Sequence, residues 1–533
     1  MSLKILAYSG GRAIRPAALL ALLLFAAVPA AAGLPIQPDP VVEAQVDSLV
    51  RAAVAHAYDG RLDIGLETID LAGKIAPRDP RIGLTRFRLL RENYPVGVFE
   101  KERARRQEGA LLHELDDAIA MCDSMLELDE NDAAAYLYRG WAYINKAQTL
   151  LIARRMRAAA GSSRDGKNDF DKFYELHPEG DPDAATVFGS FLYFADTLPG
   201  FFKFIRWLVR VPGGDRERGL ELMEEGAAGR GYTYPDAVLM LAVTYYLFDG
   251  NLEDSARMLD EAVREYPNHP WVVEYGCSMS FLYPELTGRA TAVEAALLDG
   301  WNDTTRGWDE AVRYRLLWSL GRQFAQLGDY GEALSSMTAI VVGAPAEPFW
   351  IAPSVHLSAI SLAGYLGRTH DVEWLCERVP DEERYKELSD GYKTACGRVE
   401  NERDVAAFNA MGPVRTALYD GSVDEAARLL DEAIASGSGS LDARFMQAEV
   451  ARVSGFENEA AVIYVTVALD AESAGRRMIQ IQSLVRLGEI HIGQENFDAA
   501  KNAYEKAAEA ERETTMFANF LRGRIRYIER QQD

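Results

Sequence analysis

A frame of small and apolar residues that returns along most of this 533-residue chain constrains its fold more than any other feature. It is clearest in DYGEALSSMTAIVVGAP, residues 329–345, with Tyr330, Ala333, Met337 and Pro345. Just upstream, LLWSLGRQFAQLG supplies Leu317, Leu320, Gly321, Phe324 and Gly328. Apolar residues at i, i+3, i+4 and i+7 predict two helices joined by a glycine-containing turn, and the proline closes the second. The frame returns as Gly60, Gly65, Ile69, Ala72 and Pro77, and again as Gly250, Ser255, Leu259, Ala262 and Pro267. Ala426 and Ala460 hold equivalent places 34 residues apart, and Phe497, Ala500, Tyr504 and Ala507 follow Gly488. A weaker copy runs through DDAIAMCDSMLELDEND into Tyr136, Gly140 and Tyr143. Small residues recur because closely crossing helices leave no room for large side chains.

A 34-residue period with these positions resembles the tetratricopeptide repeat. The resemblance implies an all-α chain, an α-solenoid of antiparallel helix hairpins, because one hairpin cannot bury its own apolar face. Seven units and a degenerate eighth at 353–386 fit the frame; residues 81–112, 148–235, 270–313 and 387–406 interrupt it as helical inserts. The expected organisation is a signal peptide at 1–32, a linker at 33–45, N-terminal hairpins at 46–147, a divergent helical insert at 148–235, central repeats at 236–400 and C-terminal repeats at 401–533. In this family the first helix of each hairpin lines the concave groove. By resemblance Arg315, Trp318 and Arg322 face it in the best copy, and Trp141, Met240 and Thr244 hold matching places elsewhere. Residues 198–220 also resemble, over that short stretch, the eukaryotic inclusion-body-clearance repeat proteins.

At the N-terminus, Lys4, Arg12 and Arg15 precede an apolar run from Ala17 to Val28 and the small residues Ala30, Ala31 and Ala32. About a dozen apolar residues fall short of the roughly 20 a spanning helix needs. The pattern predicts export, to a periplasm or beyond, with cleavage after Ala32. The whole sequence carries a net charge of −24, and removing those three cations would leave −27. Such a balance lacks the basic footprint that nucleic acid requires.

GSSRDGKN (161–168) has the spacing of a phosphate-binding loop, with Gly161, Gly166 and Lys167. A working loop needs a preceding strand and a hydroxyl after the lysine. Here LIARRMRAAA precedes it and Asn168 follows, so a Gly/Ser turn between helices is expected instead. Of the four cysteines, Cys122 and Cys376 share one buried position of a second helix and Cys277 takes the small position of a first helix. Reduced core thiols are expected, with Cys376 and Cys396 the pair to inspect for a bridge. The seven histidines lack ligand spacing, and HELDD (113–117) lacks the second histidine of a zinc motif. No cofactor, metal or catalytic constellation is expected.

FFKFIRWLVR (201–210) places Lys203, Arg206 and Arg210 on one helical face opposite Phe204, Ile205 and Leu208. Such a helix can lie on an anionic membrane surface, or serve as a core helix whose basic ends reach solvent. The clusters Arg103, Arg105, Arg106 and Arg154, Arg155, Arg157 read as solvated faces. The functional expectation is a non-catalytic, exported scaffold that binds a protein or peptide on its concave face. The alternative is a periplasmic solute-binding accessory component of an envelope transport or assembly system, with an enclosed apolar cavity near Trp141, Met240 or Trp318 that would take a small molecule.

Overall fold

In the computed structural model, residues 40–92, 101–153, 155–197, 213–267, 269, 272, 310–327, 329–343, 352–381, 389–397, 402–436, 439–511 and 516–532 are described. Contacts divide the chain into residues 1–44 and 45–533, and the repeat hairpins belong to the second unit. The described residues are helical and turn segments with no strand, a tetratricopeptide-like array of antiparallel hairpins. The expected signal segment 1–32, Cys277 and the stretch 201–210 expected to be amphipathic lie outside them. Among the described residues no helix is long and apolar enough to cross a membrane.

The hairpins form where the frame puts them. Leu252–Glu265 packs against Tyr234–Val243, Tyr330–Gly343 against Glu310–Leu327, and Phe497–Ala510 against Arg477–Gly493. Gly60, Gly250, Gly367, Gly421 and Gly455 turn five of the pairs, and Gly475 links two neighbouring hairpins, with φ between 66° and 84°, a conformation other residues rarely adopt. In the last hairpin Glu495 takes that place at φ 55°. Side-chain caps fix several starts: Asp132 accepts from the Ala135 amide at 3.1 Å, and Asp215 accepts from the Arg218 amide at 3.0 Å. At Gly321 an added Cβ would lie 3.3 Å from Met337 Cγ and from Ser336 Cβ, which accounts for the small residue there.

Stretches that fall outside the frame are helices too. Pro80–Glu92 pairs with Lys101–Leu128, and Gly83 marks its close crossing, since a Cβ there would stand 2.9 Å from Glu114 O. Met156–Leu176 is the second helix opposite Ala133–Ile152, and Pro182–Thr197 pairs with Arg216–Gly229. The expected turn at GSSRDGKN is therefore corrected: these residues sit inside Met156–Leu176. Ser162, Ser163 and Gly166 are buried there, with Gly166 against Gly140 O and Ile144. The expectation of reduced thiols is corrected as well. Cys376 and Cys396 form a disulfide that ties Thr369–Cys376 to Ser389–Cys396, while Cys122 stays free and buried.

The final helix, Met516–Gln532, packs on the π-helical turn Thr244–Asp249 far upstream. Arg526 Nε donates to Phe248 O at 3.0 Å, Arg530 Nη2 to Asp249 Oδ2 at 2.8 Å, and Arg524 to Gly250 O. One apolar core accordingly mixes Tyr193, Tyr246 and Leu259 with Ile481, Tyr504 and Phe520.

Candidate functional site

First helices of successive N-terminal hairpins stand side by side: Pro80–Glu92 touches Ala133–Ile152, which touches Pro182–Thr197, which touches Tyr234–Val243. Helical periodicity turns one stripe of each toward the same depression, of about 50 Å³. Arg88, Arg91, Trp141, Asn145, Asp236 and Met240 are among its lining residues.

The charges there are held in fixed positions. Arg88, 5% exposed, is paired with Asp236, and its Nη1 donates to Tyr232 O at 2.9 Å. Burial works against its charge, but Asp236 outweighs that and raises the guanidinium further above its ordinary value. Tyr58 donates to the other Asp236 oxygen at 2.9 Å. Arg91 Nη1 donates to Asn145 Oδ1 at 3.2 Å, and Asn145 Nδ2 in turn donates to Trp141 O at 3.0 Å. Beneath them Asp183 accepts from the Thr233 amide at 2.6 Å and from its hydroxyl at 2.8 Å; burial raises its carboxyl despite those bonds. The depression thus presents the partly exposed Arg91 guanidinium, 3.6 Å from Asp236 Oδ1, an oriented amide and an apolar edge at Met240 on a rigid support.

Trp141 and Met240 are brought together here, although Trp141, 4% exposed, serves as a wall and not as an open contact. Thr244 does not join them. It is fully buried in the π-helical turn, and its hydroxyl finds no hydrogen-bond partner among the described residues. Trp318 and Arg322 belong to Glu310–Leu327, another hairpin, where Arg322 stacks 5.9 Å over the Trp318 ring. Arg315 stands in that same helix. Arg88 and Arg91 escape a reading of the sequence because Pro80–Glu92 falls in a stretch that breaks the frame, and Gly83, at the small position, is the signal that could have found them; Asp236 lies one turn before Met240 on Tyr234–Val243, where the frame marks only small and apolar residues.

Lys167 bonds Asp171 Oδ2 at 2.6 Å and Oδ1 at 2.9 Å, one turn along the same helix, an arrangement that holds no phosphate. Since an exposed i,i+4 pair contributes about 0.3–0.5 kcal/mol, Lys167→Ala should leave the melting temperature within about 2 °C of wild type. Calorimetry with and without ATP should give no nucleotide-dependent difference for either form.

Stacked helical hairpins with small residues at their close crossings define the chain as a helical-repeat protein. Three stretches of it are tetratricopeptide repeats: models of that family match residues 236–269, 414–475 and 481–514. Repeats of this family are generally non-catalytic scaffolds that contact proteins or peptides. Similar solved structures include yeast Tom70, 12% identical, covering 92% of this chain and 96% of that one, with a TM-score of 0.24. The human IFIT1 dimer with PPP-AAAA is 13% identical over 88% of this chain and 95% of that one, TM-score 0.30. A tetratricopeptide repeat protein from Parabacteroides merdae is 13% identical over 55% of this chain and 98% of that one, TM-score 0.21. No curated protein matches the sequence.

Proposed function

We propose that the chain is an exported, non-catalytic scaffold that binds a protein or peptide along its first helices, with the depression at Arg91, Asn145 and Met240 as an anchor. The observation that carries this reading is the convergence of side chains from four successive first helices on one point. About 50 Å³ takes the end of one side chain or a terminal carboxylate, far below the roughly 300–1,000 Å³ that whole small ligands occupy. Arg91 can grip a carboxylate while Asn145 fixes its orientation. The solute-binding alternative asks for a larger enclosed cavity beside Trp141 than this one. Export is supported by the N-terminal apolar run and by the Cys376–Cys396 bridge, since disulfides persist in oxidising compartments.

Displayed random peptides selected on the chain test the reading. Gln148 also lines the depression, and enriched peptides should lose at least tenfold in affinity for Arg91→Ala/Gln148→Ala, both half-buried positions whose truncation spares the core. Peptides that bind this variant as tightly as wild type would remove the depression from the binding surface.

A further inference from the structure

On the side formed by second helices, the C-terminal repeats carry an open groove of about 700 Å³. Glu457–Ser473 forms one wall through Val465 and Leu469, and Phe497–Ala510 forms the other through Ala499 and Ala503. Leu484 and Leu487 of Arg477–Gly493 make the floor. The apolar wall is not covered by the described residues: Val462 is 68% exposed, Val465 43% and Leu469 58%. Three such residues at i, i+3 and i+7 form one continuous stripe of a helix. Small alanines opposite leave room for an incoming helix, and the walls run about 12 Å, two turns, from 465 to 472.

Charge selects the occupant. Glu472 and Glu509 line the groove, and Glu505 lies one turn from Glu509. None of these three exposed carboxylates is ion-paired among the described residues, whereas Arg477 is held by Glu511 and Lys501 by Glu529. Of the two basic side chains in the lining, Arg477 and Lys506, the first is the one already paired with Glu511. We infer that this groove docks a cationic amphipathic helix of a partner, its apolar face on Val465, Leu469 and Leu487 and its basic flanks over Glu472, Glu505 and Glu509. A second copy fits less well, because it would bring like-charged rims together on a chain of net charge −24.

The probe is a fluorescein-labelled 18-residue helix of leucine and lysine with helical periodicity, compared with its leucine and glutamate counterpart by anisotropy on the full chain. The lysine peptide should bind, with affinity falling as salt rises, and the glutamate peptide should not. Leu469→Glu should weaken binding at least tenfold, as should Glu472→Lys/Glu509→Lys. Since these side chains are exposed, melting curves should stay those of wild type. Asp63→Lys/Glu67→Lys, a matched charge reversal far along the sequence, should leave affinity unchanged. An equal loss in that control would reduce the binding to general charge attraction and overturn the proposal. So would unaffected binding by Leu469→Glu, or a wild-type dimer in sedimentation that this variant dissociates, which would assign the groove to a second copy.

Discussion

Glu449→Ala is expected to remove about 3–5 kcal/mol from the C-terminal repeats, the usual result of stripping one partner from a buried ion pair. Glu449, 5% exposed, sits where three helices meet. From Leu441–Val453 it accepts from Tyr464 of the next helix, from Arg486 Nε at 2.9 Å one hairpin further on, and from Arg452 Nη2 at 3.2 Å. Removing the carboxylate takes from the Arg486 guanidinium, on a residue 8% exposed, the buried acceptor it bonds at 2.9 Å. Glu449→Leu/Arg486→Met should recover most of the loss, because replacing both charges avoids an uncompensated one. Urea unfolding followed by hydrogen exchange over residues 441–510 measures both, and wild-type protection in Glu449→Ala would refute the account. Burial alone would raise this carboxyl, but Arg486 and Arg452 hold it below the ordinary value of 4.5. The fold therefore binds fewer protons here than the unfolded chain. Its stabilisation is complete above about pH 4.5 and is lost as pH falls through the depressed value, a dependence Glu449→Gln should flatten.

The same latch recurs one repeat later, where Tyr504 donates to Glu489 and Arg524 grips it at 2.9 and 2.7 Å. Nothing in the apolar frame announces these latches, since polar residues at buried places carry no periodic signal of their own. What the frame did reveal were the crossings and turns, because Gly321, Gly250 or Ala460 is demanded by local geometry wherever a hairpin forms. GSSRDGKN misled for the opposite reason. Glycine and serine are weak helix formers, so the stretch reads as a break, yet burying Ser162, Ser163 and Gly166 against Ala133–Ile152 outweighs propensity. Trp141 and Met240 were legible as members of one face, while Arg88, Arg91 and Asp236 join them only through packing between hairpins. The docking of Met516–Gln532 on Thr244–Asp249 is likewise a long-range event with no repeat to betray it.

Gly219→Ala should destabilise the chain by about 2–3 kcal/mol, the upper part of the range for overpacking a tight contact. Gly189, Gly219 and Gly226 form the seam between Pro182–Thr197 and Arg216–Gly229. A Cβ on Gly219 would stand 2.5 Å from Tyr193 N and 2.7 Å from Gly189 O. Both are backbone atoms, so no rotamer change can relieve the clash. The helices must separate along their length, loosening Phe188, Tyr193, Leu222 and Met223, all buried around the seam. Working the other way, alanine in a helix interior is favoured over glycine by about 0.8–1.0 kcal/mol. Gly161→Ala isolates that gain: Gly161 is also inside a helix, but a Cβ there meets nothing within 4 Å. The same substitution should therefore raise the melting temperature at 161 and lower it at 219. If both variants melt higher than wild type, the two helices lie further apart than the seam requires; if only Gly161→Ala does, glycine at 219 is there for proximity.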